Sequence, residues 1–134
     1  MARWIGIDYG GVRSGMAFTD AHAAIAFPHK TVLTKDLMPE IAKLISQEPC
    51  NGIVLGMPNG RTHSTQAIEE LAKELCKKWP ELDIRFTDES NTSVEALSAS
   101  IQAGMKKSKR SQKGALDAIA ATLILQRFLE AQQR

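Results

Sequence analysis

Three acidic positions in this sequence are of a type and placement that could do chemistry. Asp8 ends the apolar run Trp4-Ile5-Gly6-Ile7, and a carboxylate in a buried strand is costly unless it is paired or holds a cation. Asp88 and Glu89 stand at the C-terminal end of another strand-like run, the edge at which open α/β sheets present their ligand crevice. Asp117 sits beside Leu116, with Ala120, Ala121 and Ile124 at the following helical neighbours, so it borders an apolar face. Taken together, Asp8, Glu89 and Asp117 are oxygen ligands of the kind that suits Mg2+ or Mn2+. The matching chemistry is metal-assisted phosphodiester hydrolysis, in which two metals about 4 Å apart activate a water and stabilise the leaving oxygen. A purely structural reading is also open: Asp8 as a turn cap, Glu89 exposed, and Asp117 as a first-turn acid favouring the helix dipole. Spacing alone does not choose between them.

A second feature is the distribution of charge. The chain carries 17 basic and 15 acidic residues, yet Lys106, Lys107, Lys109, Arg110 and Lys113 fall within eight residues, with no acid between Glu95 and Asp117. Without those five, 12 bases face 15 acids, so a net acidic body carries one strongly basic segment. Such an asymmetry fits contact with a polyanion, although a solvated loop ahead of a helix has the same composition. Arg13, beside the Gly10-Gly11 turn, is placed to pair with a phosphate or with one of the carboxylates.

The elements that must carry these residues can be read from periodicity. Residues 3–8 and 15–20 form a hairpin across the glycine-rich turn, and a third short strand runs from Ala23 to Phe27, ended by Pro28. Asp36 caps a helix with Leu37, Ile41, Leu44 and Ile45 at helical spacing and Pro39 in its first turn. Residues 52–57 form a continuous apolar run, expected of a strand buried on both faces. A helix starting at Ser64 or Thr65 follows, with Ile68, Leu71, Ala72, Leu75 and Trp79 as its stripe and Pro80 closing it. Asp83 to Thr87 is the fifth strand. Thr92 and Glu95 form a capping box for a helix that stops near Gly104, and Leu116, Ile119, Ala120, Leu123, Ile124 and Phe128 mark a final helix. The expectation is an α/β domain over residues 1–134: an antiparallel three-strand meander plus two parallel strands in one mixed sheet, flanked by helices.

Composition closes off other classes. At 134 residues with 43% hydrophobic content the chain has material for a core and is neither disordered nor long enough for two ordinary domains. No apolar run approaches the roughly 18 residues of a membrane span, and Met1-Ala2-Arg3-Trp4 is not a signal-peptide opening, so a cytoplasmic location is expected. Cys50 and Cys76 suit packing, not a disulfide framework or zinc site. His22, His29 and His63 are scattered in loop-like segments, which leaves no case for a serine triad. Tyr9 is the one aromatic next to the proposed site, so recognition by backbone and shape is expected in preference to base stacking.

Four blocks, in order along the chain, carry a family resemblance: Gly6-Ile7-Asp8-Tyr9-Gly10-Gly11-Val12-Arg13-Ser14-Gly15, Ile53-Val54-Leu55-Gly56-Met57-Pro58, Thr87-Asp88-Glu89-Ser90-Asn91-Thr92, and Asp117 through Gln126. They resemble the YqgF family, also called RuvX, within the ribonuclease H-like superfamily. The resemblance implies a ribonuclease H-like fold, divalent metal held by acidic residues, and activity as a nuclease in 5′-end maturation of pre-16S rRNA during ribosome biogenesis. An older proposal for the family is resolution of four-way DNA junctions. By position, the family's three acidic residues match Asp8, Glu89 and Asp117. Two positions depart from the pattern: Gly11 stands where the family has threonine or serine, and Ser90 where it has an arginine, whose loss removes a bidentate phosphate contact. Arg85 and the basic segment are the cations that would compensate. The expected partners are nucleic acid, either pre-rRNA or branched DNA, and ribosome-assembly factors, with no membrane and a monomer or weak homodimer. A non-catalytic RNA-binding module is the reading that Ser90 keeps open. Asp8-Tyr9-Gly10-Gly11 also looks like the phosphate loop of actin-like ATPases, but the chain is too short to enclose a nucleotide.

Overall fold

The computed structural model describes residues 2–57, 63–88 and 113–132. Five strands form one sheet in the order β3-β2-β1-β4-β5. Strands β1 (Arg3–Asp8), β2 (Arg13–Thr19) and β3 (Ala26–Leu33) are antiparallel neighbours, and β4 (Cys50–Met57) and β5 (Asp83–Asp88) continue from β1 in parallel. The mixed meander-plus-parallel arrangement is the one expected from the sequence.

Among the described residues, two helices cover one face and a third covers the other. Helices α1 (Leu37–Gln47) and α2 (His63–Lys78) bury Leu37, Ile41, Leu44, Ile68, Leu71 and Leu75 against Ile5, Ile7, Ile53 and Leu55. Helix α3 (Lys113–Gln132) lies on the opposite face, where Ala121, Ile124, Leu125 and Phe128 pack on Trp4, Ala17 and Val54. Period-two alternation along β1 therefore sends Ile5 and Ile7 to the α1/α2 side and Trp4, Gly6 and Asp8 to the α3 side. The Trp4 and Phe128 rings meet at 4.6 Å between centroids, and Trp4 N–H donates to the Thr19 hydroxyl at 2.9 Å.

Several local expectations are corrected. The third strand does not end at Pro28 but runs through it, because β3 is the sheet edge and the register slips there: Met16 faces Lys30 while Ala17 faces Pro28. An edge bulge is where a residue lacking an N–H can sit in a strand. Asp36 occupies the N-cap of α1 but its side chain makes no capping bond; a short 3₁₀ turn, Thr34–Asp36, leads into the helix instead. The buried stripe of α3 is Ala118, Ala121, Ile124, Leu125, Phe128 and Leu129, displaced from the expected one, with Ile119, Ala120 and Leu123 only half-buried. His29 lies within β3, edge-on to Phe18, where its Nε2 is 3.0 Å from Glu40 Oε2 of α1. Cys50 is half-buried as a packing residue, whereas Cys76 is exposed on α2. The expected helix over residues 92–104 lies outside the described residues.

Buried Arg3 ties the sheet to α1. Its guanidinium donates to the Leu44 carbonyl at 2.8 Å, lies 3.6 Å from Glu48 and sits 5.1 Å from the centroid of the Phe18 ring. The last turn of α1 has no basic residue of its own, so β1 supplies the positive charge that the C-terminal end of a helix favours.

Candidate metal and nucleic-acid site

Asp8 closes β1 at the C-terminal edge of the parallel strands and is half-buried on the α3 side. Its cross-strand partner is Gly15 of β2. A Cβ at Gly15 would fall on the backbone carbonyl of Asp117, so the missing side chain is what lets the first turns of α3 rest directly on β2. Gly6 does the same one turn further along, where a Cβ would come within 2.9 Å of Leu125 Cβ and 3.0 Å of the Ala121 carbonyl. Two glycines on the α3 side of adjacent strands thus bring Asp117 against the strand pair that ends in Asp8. Gly15 appears in the sequence motif, but its role needs the helix packing to be seen.

Asp117 faces the sheet because it precedes Ala121 by one helical turn on the buried stripe. Arg13, at the start of β2, brings its Nε to 3.3 Å from Asp117 Oδ2. The approach is close enough for charge attraction but not aligned for a hydrogen bond, and among the described residues buried Asp117 Oδ2 has no hydrogen-bond donor. Of the two pairings open to Arg13 in the sequence, the carboxylate one is formed.

The row of residues across this edge continues toward β5. Ile7 pairs with Leu55, which sets Gly56 beside Asp8, and Gly56 pairs with Thr87. Ile84 packs on the α1/α2 side, so Thr87 is directed to the α3 side with Asp8. Thr87 Oγ1 is a second buried oxygen without a hydrogen-bond partner among the described residues. The Asp117 and Thr87 oxygens, with the half-buried carboxylate of Asp8, are hard donors at one sheet edge of the type that suits Mg2+ or Mn2+. Among the described residues no group of three or more His, Cys, Asp and Glu side chains is gathered to hold a metal ion. The third expected ligand, Glu89, lies outside the described residues, as do Lys106, Lys107, Lys109 and Arg110; Lys113 opens α3.

Two other candidate contacts have packing or bonds of their own. Tyr9 packs against the α1/α2 core, on the face of the sheet opposite Asp8. Arg85 donates from Nε to Asp83 Oδ2 at 2.9 Å on exposed β5. Residues not singled out by the sequence are Ser14 and Thr34. Fully buried Ser14 accepts from Gly10 N–H at 3.3 Å, and Thr34 donates to the Gly10 carbonyl at 2.6 Å.

The same architecture recurs in a solved structure titled "T. thermophilus RuvC in complex with Holliday junction substrate". It superposes with a TM-score of 0.63 at 12% identity, covering 99% of this chain and 96% of that one. The fold is therefore ribonuclease H-like. The family model described as RuvX: Holliday junction resolvase matches residues 2–131, and the chain belongs to that family. Curated relatives bear the name "Putative pre-16S rRNA nuclease": one from Bacteroides thetaiotaomicron is 37% identical and one from Phocaeicola vulgatus 38%, each match covering 99% of both chains. A third, from Porphyromonas gingivalis, is 34% identical over 100% of both. No helix among the described residues is long and apolar enough to cross a membrane.

Proposed function

We propose that this chain is a divalent-metal-dependent nuclease acting on the 5′-extended precursor of 16S rRNA, with Asp8, Glu89 and Asp117 as the residues that hold Mg2+ or Mn2+. The observation that carries the proposal is the seating of Asp117 over Gly15, opposite Asp8, with its buried Oδ2 lacking a hydrogen bond among the described residues. A bound metal would supply Lewis-acid activation of water and neutralise charge at the scissile phosphate. The protein's part is positional. Asp8 is fixed by the β1/β2 ladder and Asp117 by the close helix-sheet contact, so both carboxylates stand on rigid elements. Arg13 neutralises Asp117 and is half-exposed, which leaves it able to reach a backbone phosphate. Lys106, Lys107, Lys109, Arg110 and Lys113 supply further phosphate contacts that orient the strand without reading its bases. The partners in this reading are pre-rRNA and ribosome-assembly factors in the cytoplasm, with the protein a monomer or weak homodimer.

The family's description favours a second substrate, the four-way DNA junction. A direct test incubates the protein with a 5′-extended 16S RNA fragment and, in parallel, a synthetic four-way junction, in Mg2+, Mn2+ or EDTA, beside Asp8→Asn and Asp117→Asn. The expected result is metal-dependent RNA cleavage that both variants lose. Junction cleavage alone would transfer the reading to a resolvase. RNA binding without cleavage of either substrate would reduce it to a binding module.

A further inference from the structure

Thr34 lies far from Asp8 in sequence and on a different element, yet its two polar groups meet both ends of the turn between Asp8 and Arg13. Its N–H donates to the Val12 carbonyl at 2.8 Å, and its hydroxyl donates to the Gly10 carbonyl at 2.6 Å. The Thr34 hydroxyl also lies 2.9 Å from the Ser14 hydroxyl, which accepts from Gly10 N–H at 3.3 Å. A hydroxyl has one proton to give. Since Thr34 spends its proton on Gly10, Ser14 must be the donor between the two hydroxyls. The bonds then close a ring: Gly10 N–H to Ser14, Ser14 O–H to Thr34, Thr34 O–H to the Gly10 carbonyl. Each hydroxyl donates and accepts once, with Ser14 fully buried and Thr34 half-buried, and such chains reinforce one another.

The ring is placed to do more than close a hairpin. A two-strand turn is ordinarily held by its own ladder, whereas this one is gripped from outside by the 3₁₀ turn that leads into α1. Gly10 is close-packed as well, because a Cβ there would strike the Arg13 carbonyl. Arg13 is thus held between a fixed Gly10 and a fixed Ser14, and its guanidinium meets Asp117 as a result.

The geometry assigns Thr34 as a positioning residue, acting through Gly10 and Ser14, for the Arg13 guanidinium. Its consequence for RNA binding rests on the reading of Arg13 as a phosphate contact proposed above.

The test is the NMR signal of the Arg13 Nε–H group in the full chain, with an RNA-binding measurement beside it. Thr34→Val keeps the shape and removes the hydroxyl, and Thr34→Ser keeps the hydroxyl. In Thr34→Val the Arg13 signal should shift in the direction seen in Asp117→Asn and exchange faster with water, while Thr34→Ser should keep the wild-type signal. A folded Thr34→Val protein with an unchanged Arg13 signal would overturn the inference. Should Thr34→Val not fold, Ser14→Ala opens the same ring from the other side and is judged by the same signal. On a 5′-extended 16S RNA fragment, Thr34→Val and Arg13→Gln should each lower the slope of log affinity against log salt by about 1, and together by no more than either alone. If Arg13→Gln weakens binding and Thr34→Val does not, the positioning role falls and the nuclease reading stands. If Arg13→Gln leaves binding unchanged while the Arg13 signal still follows Thr34, the positioning role stands and the phosphate role of Arg13 falls.

Discussion

Arg13 Nε lies 3.3 Å from Asp117 Oδ2, joining the first residue of β2 to the first turns of α3. The two side chains keep 39% and 28% of their surface exposed, so solvent screens the pair and its worth to stability is at most about 1 kcal/mol. Asp117→Asn should therefore leave the denaturant midpoint nearly unchanged. Its cleavage activity should fall by more than the roughly 10–100-fold typical of losing an outer-shell partner of a metal. A large loss of stability in Asp117→Asn, measured by urea unfolding, would recast this aspartate as a structural residue.

Gly15 and Gly11 should respond to alanine in opposite ways. At Gly15 the added methyl meets the Asp117 carbonyl, and because backbone cannot yield as a flexible side chain can, Gly15→Ala should cost about 3 kcal/mol or more and displace α3. A Cβ at Gly11 would meet nothing within 4 Å among the described residues, and neither glycine takes a left-handed backbone. Gly11→Ala should then be neutral or stabilising by up to about 1 kcal/mol through the unfolded state. Urea midpoints of the two variants, measured side by side, decide this.

How far the sequence reveals this site depends on which physical signal each residue leaves. Asp8 is legible because a charge ending an apolar strand is locally anomalous, and the mixed meander-plus-parallel character of the sheet follows from alternation and from the buried run of β4. The packed face of α3 is not legible, since Ile119, Ala120 and Leu123 are as apolar as the residues that are buried, and only the glycines of β1 and β2 select the face. Thr34 is invisible for a related reason: a threonine before a helix reads as a cap, and its bonds to Gly10 and Val12 exist only once β2 and β3 are paired. Arg85 is legible as a cation, but its bond to Asp83 two residues back along the strand is seen only in the structure.

Arg3 should be among the costliest single losses. Its guanidinium is the donor to the Leu44 carbonyl and lies over Phe18, while Glu48 is mostly exposed and keeps its hydration when Arg3 is removed. A charged hydrogen bond contributes about 1.5–3 kcal/mol and a cation over a ring about 0.5–1. Because buried Arg3 Nε has no partner, part of that is offset by desolvation, and Arg3→Ala should cost about 2–3 kcal/mol. Arg3→Lys should recover little of it, since an ammonium cannot span the carbonyl and the ring together. Thermal or urea unfolding of both variants checks the ranking, and full recovery by lysine would reduce the role of Arg3 to net charge.

Acid stability should be governed in part by Glu40, which joins α1 to β3. Burial by itself would raise its pKa, but hydrogen bonds from His29 and Lys30, and the charge of Lys30, outweigh burial and leave the carboxyl below its ordinary value. Asp20 is lowered too, by the backbone N–H groups of Ala24 and Ile25 that its carboxylate accepts. A carboxyl whose folded pKa is depressed binds fewer protons than the unfolded chain, so it stabilises the fold above the ordinary pKa and progressively loses that contribution as pH falls toward the lowered folded value. The unfolding free energy should accordingly decline below the ordinary glutamate range. Glu40→Gln, which cannot ionise, should be less stable than wild type at neutral pH and show a shallower acid decline, so the two stability curves converge as the pH drops. Urea titrations of both proteins from neutral to acidic pH measure this directly, and parallel curves would show that Glu40 contributes no proton linkage between β3 and α1.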